Sequence, residues 1–396
     1  MKRMKTILIR FCLTIIFIFA FSFSSKAEES ETNSILSEEI SDEAVCYAES
    51  VMGDYIDAYI SISNPEKKVE IYSNGDFYLE SGYYTYILEN NQLVRGDWID
   101  FPIVQNGEII LILQVSKVDN TWISSISEGY SDEMNSYLNS RKTQRPSFLV
   151  YSNENLYIFN DFEIAPLKIV KEDDEIPDYK RIEKNPIFDN AKITNINVYK
   201  ADNEFKYSNI QNADIMNKLT KSSVPGFNIY ESNHKVLEMA NCLCSQIYAN
   251  GEQAPNCWAA AAASIIRYKT GNRWIESYHL GTEGGSLEKI FNALVKFNAG
   301  SGYSILYRGA SSITEVYHNI NNRFPFVMSG YRYSMSGEIL AGHAVTAIGY
   351  ADDVLIYWNS ANRQQVLTKY QGVNTTYFST GSLRYKWEGS VLAPLS

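Results

Sequence analysis

The stretch from Asn256 to Tyr268 most constrains the fold, because it reads as a buried helix that carries a cysteine in its first turn. Its five consecutive alanines favour helix formation, and their small side chains allow other elements to approach closely. Asn256 is placed to cap the start of the helix, and Gly271 follows its end. A thiol at a helix N-terminus lies near the positive end of the helix dipole, which favours the thiolate. Cys257 is therefore either a small core residue or a nucleophile, and the choice depends on residues elsewhere in the chain.

Residues 1–27 predict a secretory signal peptide. Basic residues precede an apolar run from Phe11 to Phe23, and Ser25-Lys26-Ala27 offers a small-residue cleavage site. The apolar run is short for a membrane anchor. We therefore expect a secreted, extracellular protein that has no membrane association after signal cleavage.

The cysteines outside the signal peptide are too few and too scattered for a disulfide scaffold. Cys242 and Cys244 are too close in sequence to bridge easily in an extended segment. Cys46 could pair with either of them, and the sequence leaves this open. No histidine accompanies these cysteines at metal-ligand spacing, so no metal or cofactor is expected.

Charge divides the chain into two parts, although the net charge is −11 overall. Residues 28–234 contain 17 basic and 36 acidic residues, whereas residues 235–396 contain 13 basic and 10 acidic residues. The division predicts either two units that dock by complementary charge or an acidic segment that increases solubility. Neither part has the basic, aromatic-lined composition of a nucleic-acid binder.

The N-terminal half is predicted to be mostly β-structure. Residues 28–45 read as an acidic lead-in with at most a short helix, and residues 46–170 as a largely antiparallel half-barrel-like domain. Its expected strands include Val69–Tyr72 and the two that flank Asn106-Gly107, and one helix is expected over Asp132–Asn139. Residues 171–234 read as a polar linker, with a short helix near Ile210–Leu219.

Residues 235–396 predict an α+β domain in which helices come first and an antiparallel sheet follows. Ser286 is placed to cap a second helix, and Ser312 with Glu315 forms a capping box for a third. The expected strands cover Phe326–Tyr333, Ala344–Tyr350, Val354–Trp358, Gln365–Tyr370 and Leu383–Trp387. The helix that begins at Cys257 would then pack against this sheet.

A histidine and an asparagine are predicted to meet at one edge of the sheet. His343 begins one strand, Asn359 ends the next, and Asp352-Asp353 makes a tight turn between them. A hydrogen bond from the Asn359 side chain to a ring nitrogen of His343 would then orient a base for a cysteine nucleophile. The alternative is that His343 and Asn359 are ordinary strand-start and turn residues.

These segments together resemble the papain-like cysteine peptidases, over roughly residues 235–396. The matching motifs are Cys257-Trp258 at the helix start, Gly342-His343 at a strand start, and Trp358-Asn359-Ser360 after the next strand. The spacings of 86 and 16 residues are similar to those of the compact bacterial branch, the staphopain-like and bacteriocin-processing peptidases. The resemblance implies a Cys257–His343–Asn359 triad, with Trp358 shielding the hydrogen bond between the last two.

The family also uses a glutamine six residues before the cysteine to bind the oxyanion, and here that position is Gly251. Gln246 and Gln253 are the candidates for this role. A longer loop can bulge at small entropic cost, so Gln246 is narrowly favoured. The backbone N–H of Cys257 would be the second donor.

The resemblance further implies a secreted cysteine endopeptidase that cleaves protein or peptide substrates through a thioester intermediate. Staphopain-like enzymes are made as precursors whose N-terminal half-barrel blocks the cleft. By the same resemblance, residues 28 to about 225 would be an inhibitory propeptide that is removed by cutting in the linker. Two alternatives stay open: an amidase or transglutaminase-like acyl transferase on the same fold, and a degenerate, secreted binding or adhesion protein.

Overall fold

The computed structural model describes residues 33–89, 92–140, 146–152, 155–159, 164–169, 177, 191–196, 206–207, 233–334, 337–381 and 383–395. Residues 33–169 are called here the N-terminal unit, and residues 233–395 the C-terminal unit. The predicted signal peptide, most of the predicted linker and its helix near residues 210–219 lie outside the described residues.

The N-terminal unit has three helices and a mostly antiparallel set of strands among its described residues, with a parallel pairing of Tyr86 and Ile87 to Val150 and Tyr151. The helices are α1 (Asp42–Ile62), α2 (Pro65–Ser73) and α3 (Ser131–Ser140). The strands are β1 (Asn33–Ser37), β2 (Phe77–Leu79), β3 (Tyr83–Glu89), β4 (Gln92–Gln105), β5 (Glu108–Val118), β6 (Thr121–Ser127), β7 (Phe148–Ser152), β8 (Asn155–Phe159) and β9 (Ile164–Lys168).

The largest difference from the sequence prediction lies at the start of this unit. Residues 42–62 form a long helix rather than a lead-in followed by strands, and the expected strand at Val69–Tyr72 is part of helix α2. Ser41 caps α1 by accepting a hydrogen bond from the Ala44 backbone N–H. Buried residues recur along α1 at helical spacing: Ala44, Ala48, Val51, Met52, Tyr55 and Ile56. This periodicity outweighs the β-branched and aromatic content that favoured strands.

Parts of the predicted linker pair with the N-terminal unit. The strand β10 (Lys192–Ile196) runs antiparallel to β1, and β11 (Lys206–Tyr207) pairs with β2. Ile196 is buried in the same apolar cluster as Ile35 of β1. Burial of Ile196 gives the polar segment an anchor on the N-terminal unit.

The C-terminal unit has the predicted α+β layout of helices followed by an antiparallel sheet. The helices are α4 (Cys257–Thr270), α5 (Ser277–Leu280), α6 (Leu287–Lys296) and α7 (Ile313–Asn321). The strands are β12 (His234–Val236), β13 (Ser304–Leu306), β14 (Phe326–Tyr333), β15 (Ile339–Ala351), β16 (Val354–Asn359), β17 (Gln364–Lys369), β18 (Tyr377–Thr380) and β19 (Leu383–Leu392).

Local signals in this unit are mostly confirmed. Ser286 caps α6, and Ser312 with Glu315 forms the predicted capping box of α7. Gly271 ends α4 with φ +71°, a left-handed conformation that favours glycine. The capping prediction for Asn256 is wrong: its side chain makes no cap and instead donates to the backbone carbonyls of Ile247 and Gly281. It therefore joins two loops in front of the helix.

The two units share one sheet. The strand β17 of the C-terminal unit pairs antiparallel with β6 of the N-terminal unit, and Val366, Leu367 and Thr368 lie opposite Ser127, Ile126 and Ser125. One apolar cluster also contains buried residues of both units, including Phe101 of β4 and Phe378 of β18. The interface therefore contains a continuous hydrophobic core. Ion pairs of the predicted sign also cross it, from Arg332, Lys369 and Arg384 of the C-terminal unit to acidic residues of the N-terminal unit.

Candidate functional site

The cysteine-bearing helix α4 is central to the C-terminal unit. Cys257 is its first residue and is partly buried, and the alanines that follow are fully buried. The same apolar cluster contains the alanine run together with Val327 of β14, Ala344 of β15 and Val391 of β19. The small side chains let α4 lie directly on these strands, so Cys257 begins an element that packs beside the strand of His343.

The predicted hydrogen bond between His343 and Asn359 is present. The ring Nε2 of His343 lies 3.0 Å from Oδ1 of Asn359, and both residues are buried. The register places them together: β15 and β16 pair antiparallel around a turn in which Asp352 has φ +47°. A tight turn fixes which residues lie opposite each other, so the start of one strand meets the end of the next.

Aromatic rings flank the imidazole of His343. Its ring centroid lies 5.2 Å from that of Tyr385 and 6.2 Å from that of Phe378. These two rings stack on each other at 5.7 Å. Such packing restricts the rotation of the imidazole, which is the condition for a base to keep one orientation.

His343 also lines a cavity of about 300 Å³ at the junction of the two units. The C-terminal unit contributes Asn362, Gln364 and Thr380 to the walls, and the N-terminal unit contributes Ile87 and Tyr151 among others. Side chains of the N-terminal unit therefore line part of the space next to the imidazole, and His343 is only 7% exposed.

The two candidate glutamines lie close together before α4. An isolated bridge pairs Ile247 with Gln253, and the Ala254 backbone N–H donates to the Gln246 carbonyl. The side-chain Oε1 of Gln246 accepts from the Ser360 hydroxyl at 3.3 Å, which connects it to the residue after Asn359. Both glutamines are buried, so the choice between them stays open.

The tryptophans next to the triad positions hold loops in place. Trp258 donates from Nε1 to the Glu283 carbonyl at 2.6 Å, and Gly285 approaches its ring so closely that a Cβ there would collide with it. Trp358 donates to the Cys244 carbonyl at 2.9 Å, which ties β16 to the segment before α4. Its predicted role as a shield stays a prediction.

The other thiols do not begin a helix as Cys257 does. Cys46, Cys242 and Cys244 form no disulfide bond. Burial raises the pKa of the Cys244 thiol to about 12, which keeps it protonated and unreactive. Within the described ranges no group of histidine, cysteine, aspartate or glutamate is arranged to hold a metal ion. Among the helices that the structure describes, none is long and apolar enough to cross a membrane.

Sequence reasoning missed two parts of the site. The hairpin of β18 and β19 brings Ser379 and Thr380 against the Asn359 amide, and the loop of residues 281–285 covers Trp258. The glycines at 281 and 285 are a usable signal for the loop, because a Cβ at either position would collide with the Trp258 ring. The contact between this hairpin and Asn359 joins positions about 20 residues apart, so it produces no periodic pattern in the sequence.

Comparison with solved structures gives distant structural likenesses. No family model matches the chain, and no curated protein matches it significantly. A solved structure described as a C39-like peptidase from Bacillus anthracis is similar over 35% of this chain and 98% of its own length, with 13% identity and a TM-score of 0.24. The likeness is too distant to assign a family, and the site geometry carries the functional argument.

Proposed function

We propose that the C-terminal unit is a cysteine peptidase whose nucleophile is Cys257. The observation that carries this proposal is the buried hydrogen bond between His343 and Asn359, on a strand that packs against the cysteine-bearing helix. A histidine whose ring is fixed by a polar side chain is the base that a thiol nucleophile requires.

The chemistry follows from these positions. His343 accepts the thiol proton of Cys257, and the thiolate attacks the carbonyl carbon of a peptide bond. The oxyanion is held by the Cys257 backbone N–H and the side-chain amide of Gln246 or Gln253. The imidazolium of His343 then protonates the leaving amine, and the acyl group stays on sulfur as a thioester. A water molecule, deprotonated by His343, hydrolyses the thioester and regenerates the thiol.

The decisive experiment is active-site labelling of the purified protein, with its linker cut, by an epoxide inhibitor of papain-like enzymes. We expect one label per chain at Cys257, and Cys257→Ala should lose both the label and at least about a thousandfold in casein hydrolysis. Cys242→Ala is the matched control, because Cys242 is another partly buried thiol, and this variant should keep both.

Three results of this experiment have distinct meanings. Hydrolysis that survives Cys257→Ala would contradict the proposed nucleophile. Labelling at Cys257 with release of fragments from peptidoglycan, but not from casein, would assign the same chemistry to an amidase. Absence of both labelling and hydrolysis, in the full chain and after the linker is cut, would support a binding protein that has lost activity.

We further propose that the protein is secreted through residues 1–27 and that its N-terminal unit keeps the full chain latent. The support is the cavity beside His343, one side of which is formed by the N-terminal unit. While that unit is docked, a substrate reaching the imidazole from this side meets Ile87 and Tyr151.

Latency can be tested by inserting a site for a specific protease between Lys218 and Pro225, with a scrambled insertion as the control. Because an apolar core spans both units, we expect the cut N-terminal unit to stay bound in gel filtration. Casein hydrolysis per molecule should then rise as the cut protein is diluted and the units separate. A full chain that is already as active as the cut, diluted protein would contradict latency.

A further inference from the structure

The side-chain amide of Asn359 is fully buried and makes hydrogen bonds at both ends. Its Oδ1 faces His343 Nε2 and also accepts from the backbone N–H of Ala361 at 3.2 Å. Its Nδ2 donates to the Thr380 hydroxyl oxygen at 3.0 Å and to the Ser379 carbonyl at 3.4 Å. The amide is therefore held between the end of β16 and the hairpin of β18 and β19.

These partners determine which end of the amide faces the histidine. A backbone N–H can only donate and a backbone carbonyl can only accept, so Ala361 and Ser379 distinguish the oxygen of Asn359 from its nitrogen. With Oδ1 toward the imidazole, Nε2 of His343 must carry the proton and Nδ1 must carry the lone pair. A reversed amide would favour the opposite tautomer and remove the base from the ring nitrogen that needs it.

We infer that Thr380 is a positioning residue that strengthens the orientation which Ala361 and Ser379 set for the Asn359 amide and, through it, supports one tautomer of His343. This inference rests on the proposed function, since the tautomer matters to a thiol nucleophile. Of the two acceptors on Nδ2, the Thr380 hydroxyl makes the shorter contact. Within the short β18–β19 hairpin, Thr380 lies opposite Leu383 and Ser379 opposite Arg384.

The hairpin has a second set of contacts on the N-terminal unit. Trp98 donates from its indole to the Leu383 carbonyl at 3.2 Å, and Gln114 donates to the Gly381 carbonyl at 3.1 Å. These bonds steady the turn in the full chain. The clamp on Asn359 itself consists of Ala361, Ser379 and Thr380, which all belong to the C-terminal unit, so it stays with that unit when the linker is cut.

The test compares Thr380→Val, which removes the acceptor at nearly the same size, with Thr380→Ser, which retains a hydroxyl. The matched control is Ser379→Ala, because Ser379 holds Asn359 only through its backbone carbonyl. In the Cys257→Ala full chain, nitrogen-15 NMR of the imidazoles reads the tautomer directly, and the sequence has only four histidines. We expect the Nε2–H form of His343 in the parent, Thr380→Ser and Ser379→Ala proteins, and a mixed population in Thr380→Val.

In the active protein, Thr380→Val should lower kcat about tenfold with KM unchanged, and Thr380→Ser should restore it. An unchanged His343 tautomer and unchanged kcat in Thr380→Val would overturn the inference. If Thr380→Val does not fold, Thr380→Ala removes the same acceptor with a smaller side chain and decides the question. A shifted tautomer in a protein that never labels at Cys257 would reject the proposed peptidase while supporting the clamp. Normal hydrolysis by Thr380→Val, with no shift of the His343 tautomer, would support the proposed peptidase and reject the role of Thr380.

Discussion

The two units bury polar side chains in different arrangements. In the N-terminal unit, the carboxylate of Asp100 accepts from Gln114 at 2.8 Å and from Tyr130 at 2.8 Å, and Tyr130 pairs with Tyr83. Gln114 also donates to the Gly381 carbonyl, which links this network to the C-terminal unit. In the C-terminal unit, the buried pair of His343 and Asn359 lies beside a cavity. Buried polar groups thus contact the other unit in one case and line a cavity in the other.

The largest effect should come from breaking the core that the two units share. Phe101→Ala in β4 and Phe378→Ala in β18 each remove a fully buried ring and should each cost about 3–5 kcal/mol of unfolding free energy. Because both rings belong to one apolar cluster, either change should shift the same single unfolding transition, measured by calorimetry and by denaturant titration. Two transitions, with each variant shifting only one, would show that the units fold independently.

A smaller effect on the free energy of unfolding, which depends on pH, should come from the buried carboxyl of Asp100 in the N-terminal unit. Burial raises the pKa of the Asp100 carboxyl from 3.8 to about 6. Between about pH 4 and pH 6 the folded protein therefore binds more protons than the unfolded chain, and the free energy of unfolding falls as the pH rises. A shift of about two pKa units corresponds to about 3 kcal/mol, lost in full above pH 6.

Asp100→Asn should remove this loss while keeping hydrogen bonds to Gln114 and Tyr130. Its unfolding free energy relative to the parent protein should therefore rise between pH 4 and pH 7, as measured by urea titration at several pH values. The control is Asp119→Asn at an exposed position of the turn between β5 and β6, which should show no such rise. An Asp100→Asn protein whose stability parallels that of its parent across this range would mean that the carboxylate is well solvated or fully compensated.

The sequence predicted those features that depend on neighbours along the chain. The Asp352 turn fixes the register of β15 and β16, and this was enough to predict the His343–Asn359 hydrogen bond. The caps at Ser286 and Ser312 are equally local, since each side chain bonds a backbone group three residues on.

The missed features depend on contacts that are distant in sequence or on competing periodicities. Strand pairing between β17 and β6 joins residues about 240 positions apart, and Thr380 reaches Asn359 only because β18 folds back over β16. Helix α1 was missed because its tyrosines and isoleucines favour strands, although their spacing buries one helical face. Residue type predicts Asn256 as a cap, but its side chain instead donates hydrogen bonds to backbone carbonyls of two loops that lie 9 and 25 residues away in sequence.

The pairing of β17 with β6 has a consequence for any C-terminal unit that leaves its partner. The departure of β6 uncovers one side of β17, and the backbone groups of Val366, Leu367 and Thr368 lose the strand opposite them. An uncovered strand with apolar residues at its centre is a template for pairing with another chain. A C-terminal unit without its partner would therefore be prone to edge-to-edge self-association, and its loss to aggregation would become faster as its concentration rises.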